Sequence, residues 1–360
     1  MMLTAIVDSY AEGIELKGSK CEIYILLVES LFKKANSYTR SFQQPPFPFF
    51  KRTEYIQPNL EPLNRLAEMA FHLLFVDDKE NSIMFSIREL EKFKIDEYKD
   101  FALKSGILSA QRTAYAQRSS SSFMFIHLSM QEFLAAYHIA RNTNLIDGSI
   151  SVYLNRHPEA YLEISQVFIF LCGLDVSCAE KLSSMMDERN ALDTGYFISP
   201  ITLCLMFNTI ILAGLREANA NGYSDIALKL SHFYFDRNNI IDLHKIWENN
   251  AANAIMLAID DNRRISPAND ECTSQITFDL HSCLELTHLQ LNGRCILVKG
   301  KYQKGTFVKR VFVMYKAKVN AIFFIDQSPT KCFPILGISI LETVLSSQWT
   351  YDVSNIQRVF

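Results

Sequence analysis

The apolar spacing of this chain is helical over most of its first 250 residues and strand-like after them. Residues 1–35 read as two helices around a turn. The second opens with Ser19-Lys20-Cys21-Glu22, a capping box in which Ser19 accepts from the backbone N–H of Glu22 and the Glu22 side chain reaches back. Ile23, Tyr24, Leu27 and Leu31 then share one helical face. Five of the ten prolines (45, 46, 48, 58 and 62) crowd into 18 residues and predict an extended connector. From Leu63 the pattern runs helix, a short strand at Ile83–Phe85, two short helices to about Leu103, Gly106, the polar run Arg118–Ser122, and a strand from Phe123. That order predicts a winged helix with the serine run as its wing.

From about Leu154 to Trp247 the spacing predicts helix throughout, with Phe168, Phe170, Leu171 and Leu174 in one segment and Leu228, Leu230, Phe233 and Tyr234 in a later one. Beyond Asn253, Ile276–Leu291 alternates, Phe307–Tyr315 and Ala321–Ile325 read as strands, and Lys299–Gly305 (KGKYQKG) as a hairpin-like turn. The expectation is a mainly α chain, with helical domains around a winged-helix domain and a small β-rich C-terminal unit. The boundaries are 1–40, a Pro-rich connector at 41–62, the winged helix at 63–140, a second helical domain at 141–255, and a β-rich or leucine-rich-repeat-like unit at 256–360. Leu286-Thr-His-Leu289-Gln-Leu291 fits L-x-x-L-x-L, but we expect no second register before Phe360.

At 360 residues, with 49% hydrophobic and 21% charged positions, the chain has room for two or three folded domains and no compositional sign of disorder. Its eight cysteines contain no C-x-x-C pair and read as free thiols in a reducing compartment. MMLTAIVDSYAEG has no basic region before its apolar residues and carries Asp8 and Glu12, unlike a signal or transit peptide, so a cytoplasmic protein is expected. Thr194–Leu215 runs 22 residues without a charge, but Pro200 and Asn208 interrupt it. We read a buried core helix there and expect no membrane association.

Residues 60–140 hold nine Lys or Arg against eleven Asp or Glu, the wrong sign for a DNA-binding winged helix. The basic feature lies later, where Arg294, Lys299, Lys301, Lys304, Lys309, Arg310, Lys316 and Lys318 occur without an acid between them and with Tyr302, Phe307, Phe312 and Tyr315 interleaved. This segment is a candidate surface for nucleic acid or an acidic protein, set against the blander reading of a solvated hairpin face. No G-x-S-x-G, H-E-x-x-H or C-x-x-C context points to catalysis.

The densest chemistry lies at Phe123–Ala140, FMFIHLSMQEFLAAYHIA. In a strand Phe123, Phe125 and His127 share one face, so His127 ends a buried row. Ser129-Met130-Gln131-Glu132 is a second capping box, which predicts a helix from Met130 presenting Phe133, Leu134 and Tyr137. His127 then lies beside a helix N-terminus, which favours an anion. Spacing leaves three readings open: a satisfied core histidine, a metal ligand, or a polar group reaching an anionic ligand.

This stretch resembles the F-x-F-x-H-x-[ST]-x-Q-E-F-x-A-A segment of the NOD-like receptors, the animal branch of the NACHT nucleotide-switch ATPases. Phe123, Phe125, His127, Ser129, Gln131, Glu132, Phe133, Ala135 and Ala136 carry the match. MLTAIVDSYAEG with Glu22 and Tyr24 is similar to the close of the family's first helical domain. Ser105-Gly106-Ile107-Leu108 is similar to its winged-helix GLL step, and Phe168–Leu174 (FIFLCGL) to the FLAGL segment of its second helical domain. The similarity spans roughly residues 1–250.

The resemblance implies a cytoplasmic innate-immune signalling switch in which His127 contacts the terminal phosphate of ADP bound to a nucleotide-binding domain upstream in cis. It also implies self-association on activation, and leucine-rich repeats after the second helical domain. No G-x4-G-K-[ST] occurs in the chain, so the resemblance implies ADP or ATP binding only with an upstream NACHT domain, and no ATPase in these residues alone. The chain then reads as a fragment of a longer product or as a derivative without the motor.

Overall fold

The computed structural model describes residues 18–35, 50, 53–75, 84–112, 121–192, 200–236, 238–261, parts of 277–300, and 310–313, 322–324 and 350–351. The described chain is mainly helical with small sheets. Several expectations lie outside the described residues: the first helix of 1–17, Pro45, Pro46 and Pro48, the run Arg118–Ser120, the turn 301–305, and Arg294, Lys301, Lys304, Lys309, Lys316 and Lys318. The chain divides into two compact units, Met1–Arg189 with Ala213–Ile226, and Asn190–Leu212 with Ala227–Phe360.

In the first unit α1 spans Lys20–Ala35, and Ser19 accepts from the Glu22 N–H at 3.0 Å as the capping pattern requires. Its buried stripe is Cys21, Ile25, Val28, Leu31, Phe32 and Ala35. Helix α2, Leu60–Phe75, follows a 3-10 turn at Gln57–Asn59 and begins three residues earlier than the prolines suggest. Pro62 sits in the first turn, where a missing N–H costs no helical bond. Glu29 of α1 fastens the approach to α2 by accepting from the backbone N–H groups of Glu54, Tyr55 and Ile56 at 2.6, 2.9 and 2.8 Å.

Strand β1 (Met84–Ser86), α3 (Ile87–Lys92), α4 (Lys99–Ser105), β2 (Leu108–Arg112) and β3 (Ser121–Phe125) follow. The strands form an antiparallel sheet of order β1-β3-β2, with Phe85 beside Phe123 and Leu108 beside Phe125 in register. Gly106 ends α4 at φ +82, a left-handed turn that an L side chain resists. Helix α5, Leu128–Arg141, leaves the sheet, and α6 is Ser165–Leu174. Tyr24, Phe133 and Phe170 meet with centroids 5.0–5.5 Å apart, so one aromatic cluster ties α1, α5 and α6.

Helix α7 spans Val176–Leu192 and α8 Pro200–Ala220. Gly173 in α6 and Gly214 in α8 have functions of space: a Cβ on Gly173 would stand 2.6 Å from Cys21 Sγ, and one on Gly214 would stand 2.8 Å from Cys172 Sγ. Both positions let helices approach closely.

The second unit departs from the helical expectation at Leu228–Tyr234. Residues 226–230 have no regular secondary structure, and His232–Asp236 is strand β4, with Phe233 and Phe235 buried and Tyr234 between them partly exposed. The alternation of period two won over a helical reading drawn from too few apolar positions. After α9 (Ile240–Asn250) come β5 (Met256–Asp261), β6 (Thr277–Asp279), β7 (His288–Gly293), β8 (Leu297–Gly300), β9 (Arg310–Val313), β10 (Ile322–Phe324) and β11 (Thr350–Tyr351). From β5 to β11 the strands alternate between two sheets, β11-β9-β7-β5-β4 and β10-β8-β6. All neighbours are parallel except β11 on β9.

His232, Met256, His288 and Arg310 stand side by side in register, at intervals of 24, 32 and 22 residues. This register exposes a recurrence that the expectation of a single L-x-x-L-x-L copy overlooked. Leu230-x-x-Phe233-x-Phe235-x-x-Asn238 is followed by Ala254-x-x-Leu257-x-Ile259-x-x-Asn262, Leu286-x-x-Leu289-x-Leu291 and Val308-x-x-Val311-x-Val313. The apolar row turns inward at Phe233, Phe235, Leu257, Ile259 and Leu289, all buried. Trp247 of α9 packs on Phe233 and Phe235, and Phe278 of the second sheet closes on Phe235 at 4.6 Å. Strands β4 and β5 therefore bury apolar rows that neither could bury alone.

Candidate functional site

Strand β3 ends at Phe125, and the chain then turns outward. Ile126 donates to the Ile107 carbonyl at 3.0 Å, and His127 follows with extended backbone at φ −158, ψ 148. Phe123 and Phe125 are buried, whereas His127 is exposed, so the buried row stops one position short of the histidine. This excludes the core-histidine reading: the alternation holds for the two phenylalanines, but the paired strand ends at Phe125 and His127, although extended, is exposed.

His127, and not Ser129, is the N-cap of α5. Its Nδ1 accepts from the backbone N–H of Ser129 at 3.1 Å, and its carbonyl accepts from Met130 and Gln131 at 3.1 and 3.3 Å. Ser129 turns its hydroxyl back to the same ring nitrogen, 2.9 Å away. The helix thus starts at Leu128, two residues before the expected Met130, because an imidazole can supply the acceptor that Ser, Thr or Asp usually brings. The opposite edge of the ring, Nε2, is turned away from the cap.

The other residues of the segment pack. Phe133 joins the cluster with Tyr24 and Phe170. Gln131 is 1% exposed, and its Oε1 has no hydrogen-bond partner among the described residues. Glu132 is partly exposed, and burial raises its carboxyl pKa against the opposing pull of Lys20. Of the sequence-predicted site residues here, His127 and Ser129 share the helix terminus, while Phe123, Phe125, Gln131 and Phe133 hold it in place.

The basic candidates do not gather in the described residues. Lys299 lies on β8, in register with Asp279 of β6 and Phe323 of β10, and Arg310 lies on β9 of the other sheet, beside His288. No group of three or more His, Cys, Asp or Glu among the described residues is placed to hold a metal ion. The described cysteines 21, 172, 178, 204 and 283 are buried and in no disulfide. Burial lifts the Cys178 thiol to about 12, far from nucleophile range.

Three polar constellations escaped the sequence reading. Glu217, 4% exposed, accepts from Ser19 Oγ at 2.7 Å, from the Lys20 and Cys21 N–H groups at 2.8 Å each, and from Asn221 Nδ2 at 3.0 Å. Asn208 pairs with β4, and Asn250 pairs with the backbone of Leu228 and Leu230. The only signal in the sequence was a polar residue inside an apolar helix, which does not name its partner. No model of a known protein family matches the chain, and no curated protein matches it.

Proposed function

We propose that the chain is the winged-helix, second-helical and repeat portion of a NACHT-type nucleotide switch of the NOD-like receptor class. In this reading β1, β2 and β3 with the helices around them are the winged helix, and α5 carries the latch. His127 offers its ring to the terminal phosphate of ADP held by a nucleotide-binding domain upstream in cis. The in-register strands β4, β5, β7 and β9 are repeats of the leucine-rich type. The chain acts by nucleotide-dependent closure and carries out no chemistry itself.

The observation that carries this reading is the division of labour within Phe123–Phe133. The phenylalanines and Gln131 are buried while His127 stands exposed at the helix N-terminus it caps, where the helix dipole favours an anion. Asn208 and Glu217, buried and bonded within the protein, favour a core helix at α8 over a membrane span, although Ile201–Ala220 is long and apolar enough to cross one.

The test is an immunoblot of the endogenous protein with an antibody raised to residues 255–360, followed by ADP retention in that protein. A band far above 41.3 kDa, with ADP lost on His127→Ala, is the expected result. A band at that mass, or ADP retention indifferent to the substitution, overturns the reading.

A further inference from the structure

The two faces of the β1-β3-β2 sheet differ in chemistry. One buries Phe85, Phe123, Phe125 and Leu108. Strand alternation turns Ser86, Ser109, Gln111 and Ser122 to the other, where the first three are exposed and Ser122 is half-buried. Two methionines interrupt this polar surface. Met84, 44% exposed, and Met124, half-buried, stand side by side in register, with Ser109 on the far side of Met124. The side-chain amide of Gln111 donates to Met124 Sδ at 3.5 Å. We propose that Met84 and Met124 are a methionine-oxidation site, a pair of thioethers that hydrogen peroxide converts to sulfoxides while the sheet stays folded.

At each sulfur a lone pair attacks one peroxide oxygen, and the S–O bond forms as the O–O bond breaks. The leaving hydroxide takes the proton from the transferred oxygen and departs as water. Sulfur loses two electrons and the peroxide gains them. The Gln111 amide, already beside Met124 Sδ, can donate to the departing hydroxide and then to the sulfoxide oxygen, a stronger acceptor than a thioether. The surroundings also suit the product, because a sulfoxide is polar and this face is built of serines and an amide. At Met69, Met130 or Met186, each 0% exposed, the same change would put a polar group into the core. Oxidation therefore exchanges the apolar part of the outer face for polar surface, and methionine sulfoxide reductases can restore it.

Peptide mapping by mass spectrometry of the 360-residue chain, sampled during exposure to hydrogen peroxide, tests the site. Met84 and Met124 should each gain one oxygen while Met69, Met130 and Met186 gain none and the circular dichroism holds. Methionine sulfoxide reductases should then remove both oxygens. Met206, 42% exposed on α8, is the standard for exposure alone, and Met124 should oxidise at least as fast although it is half-buried. Gln111→Leu should slow Met124 by about tenfold, the rate equivalent of one hydrogen bond, and leave Met206 unchanged. A Met124 still reduced once Met206 is fully converted overturns the proposal. So does oxygen that reaches Met84 and Met124 only together with the three buried methionines, because oxidation would then follow unfolding. A Gln111→Leu variant with the wild-type Met124 rate would equally remove the site. None of these readouts involves ADP, so they fail or stand independently of the switch reading.

Discussion

Asn208 and Tyr234 are joined across the open edge of a parallel sheet. The side-chain Oδ1 of Asn208 accepts from the Tyr234 backbone N–H at 3.0 Å, and its Nδ2 donates to the carbonyl of His232 at 2.8 Å. Strand β4 is the edge of its sheet, and the amide meets an acceptor and a donor that a further strand would have met. Asn250 repeats the device on Leu228 and Leu230, at 2.8 and 3.3 Å. A side-chain amide has the same donor–acceptor spacing as a peptide group, which is why asparagine serves.

Removing that amide should cost more than one hydrogen bond, because Asn208 is buried and its loss takes the acceptor from the Tyr234 N–H and leaves the His232 carbonyl only the longer contact from Cys204 Sγ at 3.4 Å. Asn208→Ala is expected to lower unfolding stability by about 2–4 kcal/mol, from roughly 1–3 kcal/mol for each buried group left without a partner. Urea denaturation of the purified chain checks this. A variant indistinguishable from wild type would mean that water reaches the edge and Asn208 is no cap.

The legibility of this chain followed the range of its interactions. Local signals were readable: Ser19 caps α1 as the S-x-x-E pattern requires, Gly106 stops α4, and the Phe123/Phe125 alternation is real. His127 was misplaced because alternation was extended past the last paired residue of β3. The repeats were hidden because Phe233, Phe235, Ala254 and Val311 stand where leucine is looked for, and because the 24, 32 and 22 residue intervals defeat a search for a fixed period. Glu217 could not have been assigned, since its partners lie 196–198 residues away.

Glu217 carries the next expectation. It supplies one carboxylate to the first turn of α1, where the N–H groups of Lys20 and Cys21 have no helical acceptor. Glu217→Ala should destabilise the fold by on the order of 2–4 kcal/mol, since the buried Cys21 N–H and the part-buried Lys20 N–H lose their acceptor at once and Ser19 Oγ keeps only Asn221 Oδ1 at 3.2 Å. Glu217→Gln keeps one acceptor oxygen and should lose less. Chemical denaturation that ranks the two variants in the opposite order would refute the capping role.

Glycine positions separate two kinds of constraint. Gly173→Ala drives a methyl to 2.6 Å from Cys21 Sγ and 2.7 Å from Asn221 Nδ2, so we expect a loss of about 1–3 kcal/mol from overpacking. Gly148→Ala meets nothing within 4 Å and has no positive φ, and should be neutral or stabilising by about 0.5–1 kcal/mol. Thermal melting of both variants decides the point, and equal losses would show that the α6 surface can relax around the added methyl.

Acid should destabilise the protein through two part-buried imidazoles. His138 lies 5.3 Å from the Phe71 ring, and its pKa falls to about 4, first through burial and then through the charges of His72 and Arg141. That of His232 falls to about 4 through burial and then His288. In the unfolded chain both rings protonate near the usual value of about 6.5. Between those values the unfolded state binds protons that the folded state refuses, so stability is full above about pH 6.5 and is lost as pH falls toward 4. The loss should be of order 2 kcal/mol per ring. His138→Leu cannot take up that proton and should show a shallower decline of unfolding free energy over the same interval. An unchanged slope in the variant would mean that His138 is hydrated in the folded state and contributes nothing to the acid response.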